Sequence, residues 1–296
     1  MTKDFIVAEH RFRVAIPESL TADFRLDNYA PFAVESCAEP LFSLAVQQGG
    51  MPEFGERKLV IDQGREPGET AIALYRCAGG WLVTMAPSPG RPLSGILFLS
   101  EKFTLAKLYV LLPKEATFAL DNSLMLQYAF ATATLGTLEM HASTVVSDGK
   151  AYLFLAKSGT GKSTHSQMWL RAITGSHLMN DDNPVVRTYP DGRVTAFGSP
   201  WSGKTPCYRN ECFPVGAFVR IERAPENRLE RLGIVESYAS VYASCSGFKA
   251  DRTMGDGLHA SISEAVQGAP CFTMHCLPDE DAARVCHDGI LKEGAR

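Results

Sequence analysis

Residues 156–164 of this 296-residue chain, Ala-Lys-Ser-Gly-Thr-Gly-Lys-Ser-Thr, follow an apolar, strand-like run at 151–156 and lead into a helical pattern. A glycine-rich turn between strand and helix points several backbone N–H groups into one concavity at the positive end of the helix dipole, where a polyphosphate can sit. In such a turn Lys162 reaches the β- and γ-phosphates, and the Ser163 hydroxyl is spaced for a Mg2+ that bridges them. The full pattern asks for glycine at position 156, where this chain has Ala156. One methyl group at a strand end leaves the turn at Gly159 and Gly161 untouched. The predicted nucleotide-binding residues are therefore Ala156, Lys157, Ser158, Gly159, Thr160, Gly161, Lys162, Ser163 and Thr164, with Ser163 also a metal ligand. A chance turn before Lys-Ser would need strand, glycines, lysine, hydroxyl and helix to coincide.

Composition excludes more than it selects. With 45% hydrophobic and 21% charged residues, the chain has core enough to fold without a metal or disulfide staple. A formal net charge of −4 offers no bulk attraction to nucleic acid or to an anionic membrane. No apolar run approaches the ~20 residues of a membrane span. Eight cysteines without a C-x-x-C pair, and no basic-then-apolar pattern at the N-terminus, lead to the expectation of reduced thiols in the cytoplasm. Cys207 and Cys212, and Cys271 and Cys276 beside His275, are spaced more widely than zinc ligands usually are.

Residues 1–112 read as short strands separated by turn residues, at 12–16, 41–46, 58–61, 71–76, 81–85, 95–99 and 107–112, a β-rich N-terminal half. Pro113 precedes a helical candidate at about 117–135, read as the entry to a second unit, 113–296. There, strands at 141–146 and 151–156 flank Ser147-Asp148-Gly149-Lys150, a hairpin signature. The phosphate loop thus springs from the second strand of a hairpin, unlike the parallel β-α-β unit of most nucleotide hydrolases. A helix at 162–173 and a strand at 177–180 come next, ending in Asp181-Asp182, and a hairpin spans 185–197. Residues 198–214 are too rich in breakers for regular structure, and a loop of that length in a compact domain is usually functional. A strand at 215–222, helices at 234–246 and 257–266, a strand at 270–276 and a helix at 278–291 close the chain. The expected fold class is α/β of the α+β kind, with a mixed, hairpin-rich sheet around the loop.

Phosphoryl transfer to a hydroxyl requires cradled phosphates, a bridging metal and an oriented acceptor, often with a carboxylate that accepts the hydroxyl proton. Asp181 and Asp182 supply two such groups. Neighbouring side chains on an extended backbone diverge, so one carboxylate can face the metal, as Asp181 is read to do, while Asp182 faces the acceptor. The same Asp181-Asp182-Asn183-Pro184 run also reads as a plain turn whose side chains cap local N–H groups. His141 opens the strand beside the loop strand. If it neighbours Asp182 it can orient that carboxylate or share its proton, although a lone histidine is more often structural. Lys204 either covers the γ-phosphate and stabilises moving charge or is a solvated loop lysine. Arg209 and Arg252 are weaker candidates for that task, and Trp201 either packs on the loop or stacks on a ligand.

Together His141, the 158–163 loop and the Asp181-Asp182 pair resemble the HPr kinase/phosphorylase superfamily, whose P-loop kinase core is shared with ATP-dependent phosphoenolpyruvate carboxykinase. His141 stands 21 positions before Lys162, as the resembling histidine does in HPr kinases. The resemblance covers residues 138–188 well and the rest of the C-terminal half loosely, and the tail at 270–283 is similar to smaller HPr-kinase-like proteins. It implies nucleotide binding at 156–163, Mg2+ at Ser163 and proton acceptance by Asp182 with help from His141. Two features depart from it: the family's Glu-bearing signature is replaced by Trp201-Ser202-Gly203-Lys204, and Glu211 nearby matches no motif. The expectation is an ATP- and Mg2+-dependent kinase for a hydroxyl acceptor on a peptide, protein or small metabolite. No nucleic acid or membrane partner is expected, and the oligomeric state is left open. The alternatives are a nucleotide-responsive binding module without transfer, and a phosphorylase or pyrophosphate-using activity on the same groups.

Overall fold

The computed structural model describes residues 1–36, 39–50, 53–64, 66–157, 159–203, 205–249 and 251–294; Ser158 and Lys204, two of the expected site residues, lie outside the described residues. The chain divides into two compact units, Met1–Ala131 and Thr132–Arg296, in a mixed α/β fold.

The strands of the first unit are β1 (Thr2–Val7), β2 (His10–Ala15), β3 (Ala33–Val34), β4 (Phe42–Val46), β5 (Arg57–Gln63), β6 (Ala71–Cys77), β7 (Gly80–Ala86), β8 (Gly95–Ser100) and β9 (Leu105–Val110). They form one sheet in the order β3-β1-β2-β4-β9-β8-β7-β6-β5, with β4 parallel to both β2 and β9. The first hairpin turns on Ala8 and Glu9, both at positive φ (44° and 67°). That turn type normally announces itself with Asn-Gly or Asp-Gly, and without them the pattern reading misses β1. Helix α1 (Ala116–Thr132) lies on this sheet. Its Tyr128 hydroxyl donates to the Val7 carbonyl at 3.1 Å, its Gln127 amide donates to the Ser43 and Phe103 carbonyls, and Tyr128 packs edge-on against Phe12 and Phe42. The helix expected to open a unit at 113–296 therefore packs with the strands before it, and the division falls after Ala131 instead of at 112.

The second unit holds β10 (Thr137–Glu139), β11 (Ala142–Ser147), β12 (Lys150–Leu155), α2 (Lys162–Ala172), β13 (His177–Asn180), β14 (Val185–Thr188), β15 (Val194–Phe197), β16 (Cys212–Arg223), β17 (Arg228–Arg231), α3 (Ile234–Ala243), α4 (Arg252–Gly268), β18 (Cys271–Cys276) and α5 (Glu280–Gly294). Its sheet runs β10-β14-β15-β16-β12-β11-β13, with β18 added on β16 and β17 on β18. The expected hairpin is present: β11 pairs antiparallel with β12 in the register Ala142↔Leu155, and Asp148 and Gly149 make the turn. On its other side β12 pairs with β16 in parallel, so the loop strand sits at a change of direction in a mixed sheet. Residues 151–155 read as an unbroken apolar run because both faces are covered. Tyr152 and Phe154 pack with Trp169 of α2 and Cys286 of α5, while Leu153 and Leu155 pack with Val241 of α3 and Ile262 of α4. Each such side chain contributes roughly 2 kcal/mol on burial. The short β10 and the charged β17 escape pattern reading because they are held by their neighbours in the sheet, β14 and β18. Among the described residues no helix is long and apolar enough to cross a membrane.

Candidate functional site

The loop between β12 and α2 holds Gly159 at φ 76° and Gly161 at φ 129°, a region that other residues rarely adopt. Among the described residues a Cβ at either position would meet nothing within 4 Å, so the glycines answer to backbone conformation and leave space over the turn. Gly161 is the N-cap of α2 and brings no capping side chain to the first-turn N–H groups. Arg223, at the end of β16, grips the outside of the loop, its Nε donating to the Thr160 carbonyl at 3.0 Å and Nη2 to the Gly159 carbonyl at 2.9 Å. A trans peptide carries its C=O and N–H on opposite sides, so holding the Thr160 carbonyl turns the Gly161 N–H the other way. Lys162 is buried, with Nζ donating to the Ala156 carbonyl at 3.3 Å. Burial lowers its pKa, against the opposing pull of Asp182 and Asp181.

The aspartates follow β13, which pairs with β11 and not with the loop strand itself. Asp181 nevertheless turns inward: Ser143 Oγ donates to its Oδ1 at 2.7 Å, and Ser143 and Ser166 hydroxyls stand 2.6 Å apart, all three residues buried. This chain ties the aspartate turn to β11 and to α2. Asp182 points the other way and is half-buried, with Oδ1 3.5 Å from His141 Nδ1 and Oδ2 accepting from Asn183 Nδ2 at 2.9 Å. The two carboxylates diverge as alternation on an extended chain demands. Burial lowers the His141 pKa, the Lys162 charge lowers it further, and Asp182 opposes both. A neutral imidazole beside a carboxylate can share a proton with it.

The turn itself is built by a residue that the motif reading passed over. Asn180 is wholly buried, its Oδ1 accepts from the Asp182 N–H at 2.9 Å and the Asn183 N–H at 2.8 Å, and its Nδ2 donates to the Trp201 carbonyl at 3.0 Å. Asparagine closing a turn over the next two residues is a legible signal, and Asp-Asn-Pro behind it reinforces it. Gly203 completes the contact, since a Cβ there would lie 3.2 Å from Asp182 Cβ and 3.3 Å from its Cγ. Arg223, Ser143 and Ser166 carried no sequence signal, because their roles depend on strand pairing and helix placement. Glu139, on β10, is buried with neither carboxyl oxygen partnered among the described residues; burial, then the Asp182 charge, push its pKa well above the ordinary range.

Other candidates stand apart. Arg209 pairs with Glu211 at 3.2 Å, and Glu211 with His177 at 2.8 Å, a cluster that ties residues 209–211 to β13. Arg252 is exposed at the start of α4, 3.8 Å from Asp256. Trp201 is buried, which favours packing over stacking on a ligand. Cys207 donates to the Leu178 and Met179 carbonyls, and among the described residues no group of three or more His, Cys, Asp or Glu is arranged to hold a metal.

No family model matches the chain, and no curated protein does. Among solved structures, the Hpr(Ser) kinase/phosphatase from Coxiella burnetii is similar at 11% identity with a TM-score of 0.31, over 53% of this chain and 98% of that chain. An overlap at that score places the chain in no family.

Proposed function

We propose that this chain is an ATP- and Mg2+-dependent phosphotransferase acting on a hydroxyl group. The observation that carries the reading is the convergence of Lys162 from the loop helix, His141 from the start of β11 and Asp182 from the turn after β13, coupled in charge and beside an open glycine turn. The residues fit a polyphosphate: an open cradle, a first helical turn without a side-chain cap, and one buried lysine. Ser163 and Asp181 are the residues that would hold Mg2+, which when bound neutralises phosphate charge. Asp182 accepts the proton of the acceptor hydroxyl, and neutral His141 orients that carboxylate and shares the proton. Lys162 holds the β- and γ-phosphates and balances charge as the γ-phosphoryl group moves.

The test is calorimetric titration of ATP with and without Mg2+, followed by incubation with labelled ATP and cell extract. Lys162→Ala is expected to lose Mg-ATP binding. Asp182→Asn is expected to bind the nucleotide normally while transfer of label falls by roughly 10²- to 10⁴-fold. Undiminished transfer by Asp182→Asn would overturn the role assigned to it. The packing of Gly203 against Asp182 favours a second reading, in which nucleotide binding orders the stretch that precedes β16 and no phosphoryl group moves. Tight binding without ADP formation in any extract would select that reading.

A further inference from the structure

We infer that the cleft beside the phosphate loop, on the side away from Asp182, is an adenosine pocket in which His165 makes the polar contact to the base; this rests on the polyphosphate reading of the loop. Strands β12, β16 and β18 run parallel, and ligands in such sheets sit beyond the carboxyl ends of the strands. A cleft of about 380 Å3 lies there, with Gly159 and Gly161 on one side, Ala224 and Leu277 just past the ends of β16 and β18, and Met168 and His165 of α2 opposite. That volume falls within the roughly 300–1,000 Å3 typical of small-molecule pockets. In the sheet, β16 and β11 flank the loop strand on opposite sides, and Asp182 follows β13 beyond β11. A triphosphate whose far end meets Lys162 and Asp182 therefore has its near end at the cleft.

His165 supplies the second, independent observation. It is 2% exposed, and among the described residues neither ring nitrogen has a hydrogen-bond partner. Buried polar atoms without partners are rare in native proteins, and this ring borders a cavity. Its edge-on contact with Phe154, 4.7 Å between centroids, fixes it by packing. Burial lowers its pKa to about 4, so the ring is neutral, with one donor and one acceptor nitrogen. No carboxylate lines the cleft among the described residues. A guanine edge carries adjacent N–H donors that call for such a carboxylate, whereas adenine presents an amino donor and ring-nitrogen acceptors, either of which one imidazole nitrogen can meet.

Calorimetry with Mg-ATP, Mg-GTP and inorganic tripolyphosphate on wild type, His165→Phe and Ala224→Trp separates cleft from loop, because tripolyphosphate reports the loop alone. Wild type is expected to bind ATP at least about tenfold tighter than tripolyphosphate or GTP, the worth of one well-placed hydrogen bond with apolar contact. His165→Phe keeps the ring packing and removes the nitrogens. It should weaken ATP about tenfold and leave tripolyphosphate unchanged. Ala224→Trp, filling the cleft from its rim, should bring ATP down to the tripolyphosphate level and keeps the test valid if His165→Phe does not fold. Equal affinity of wild type for ATP and tripolyphosphate, with tripolyphosphate lost in Lys162→Ala, overturns the pocket and leaves the phosphate loop standing. Binding of neither ligand overturns both. An ATP affinity unchanged in folded His165→Phe removes His165 from the pocket.

Discussion

Replacing Asn180 by alanine tests whether the aspartate turn is held as its geometry indicates. The amide accepts from the Asp182 and Asn183 N–H groups at 2.9 and 2.8 Å and donates to the Trp201 carbonyl at 3.0 Å, from a site with no solvent exposure. Each buried group left unpaired costs about 1–3 kcal/mol. Asp182 and Asn183 are only half-buried, so water can reach their side of the turn and the lower figure applies to their two N–H groups, while the Trp201 carbonyl keeps the Ser199 hydroxyl at 3.1 Å. The expected loss is therefore about 2 kcal/mol, within the ~5–15 kcal/mol of a typical domain, so the variant stays folded. Urea unfolding should show a lower midpoint at unchanged slope. Because the freed turn carries Asp182 away from His141, phosphoryl transfer should fall further than ATP affinity. Asn180→Asp keeps the acceptor but sets an oxygen against the Trp201 and Ser199 carbonyls, and should be no better than alanine. A loss under about 1 kcal/mol with transfer intact would refute the claim that Asn180 builds the turn.

Gly203→Ala should press Asp182 aside by a few tenths of an ångström, given the 3.2 Å approach, and lower transfer by roughly 3- to 10-fold with ATP affinity unchanged, since a full ångström costs about 10²-fold. Unchanged turnover would mean that the segment yields instead of the carboxylate. His165 titrates at about 4 in the native protein and near 6.5 unfolded, so between those values the unfolded chain binds a proton that the native one does not. Stability from this group is full above ~6.5 and falls as pH drops, by at most about 1.4 kcal/mol per unit, and His165→Phe should flatten that slope in urea titrations. Glu139 has the opposite sign: its raised pKa lets the native state keep a proton that the unfolded chain loses above ~4.5, so its contribution declines as pH rises. Glu139→Gln should therefore stabilise the protein at pH 7 and lose that advantage near pH 4; destabilisation at pH 7 would show that the carboxylate is charged and partnered there.

The strand, glycine turn and helix around Lys162, the 147–150 hairpin and the Asp181-Asp182 turn were all visible in the linear chain, because each signal is local: apolar alternation, turn chemistry, a spacing within one element. Even the meeting of His141 with Asp182 was foreseeable from their positions at matching ends of neighbouring strands. Helix α1 shows where local reading stops. Its helical pattern was plain, yet whether its apolar face covers the strands before it or after it is settled by contacts such as Tyr128 to Val7, more than a hundred residues apart in the chain. The same holds for Arg223 on the loop carbonyls, Ser143 beneath Asp181, and the buried His165 and Glu139, whose side chains have no hydrogen-bond partner among the described residues. Nothing in their neighbouring residues marks them, since burial, partner and charge environment arise only when distant strands pair and helices cover the sheet. Sequence alone therefore carried the glycine-rich loop and the acidic turn, while folding chose which carboxylate faces inward, what grips the loop and which polar groups among the described residues are left without partners, because those are properties of packing between segments that the chain order does not bring together.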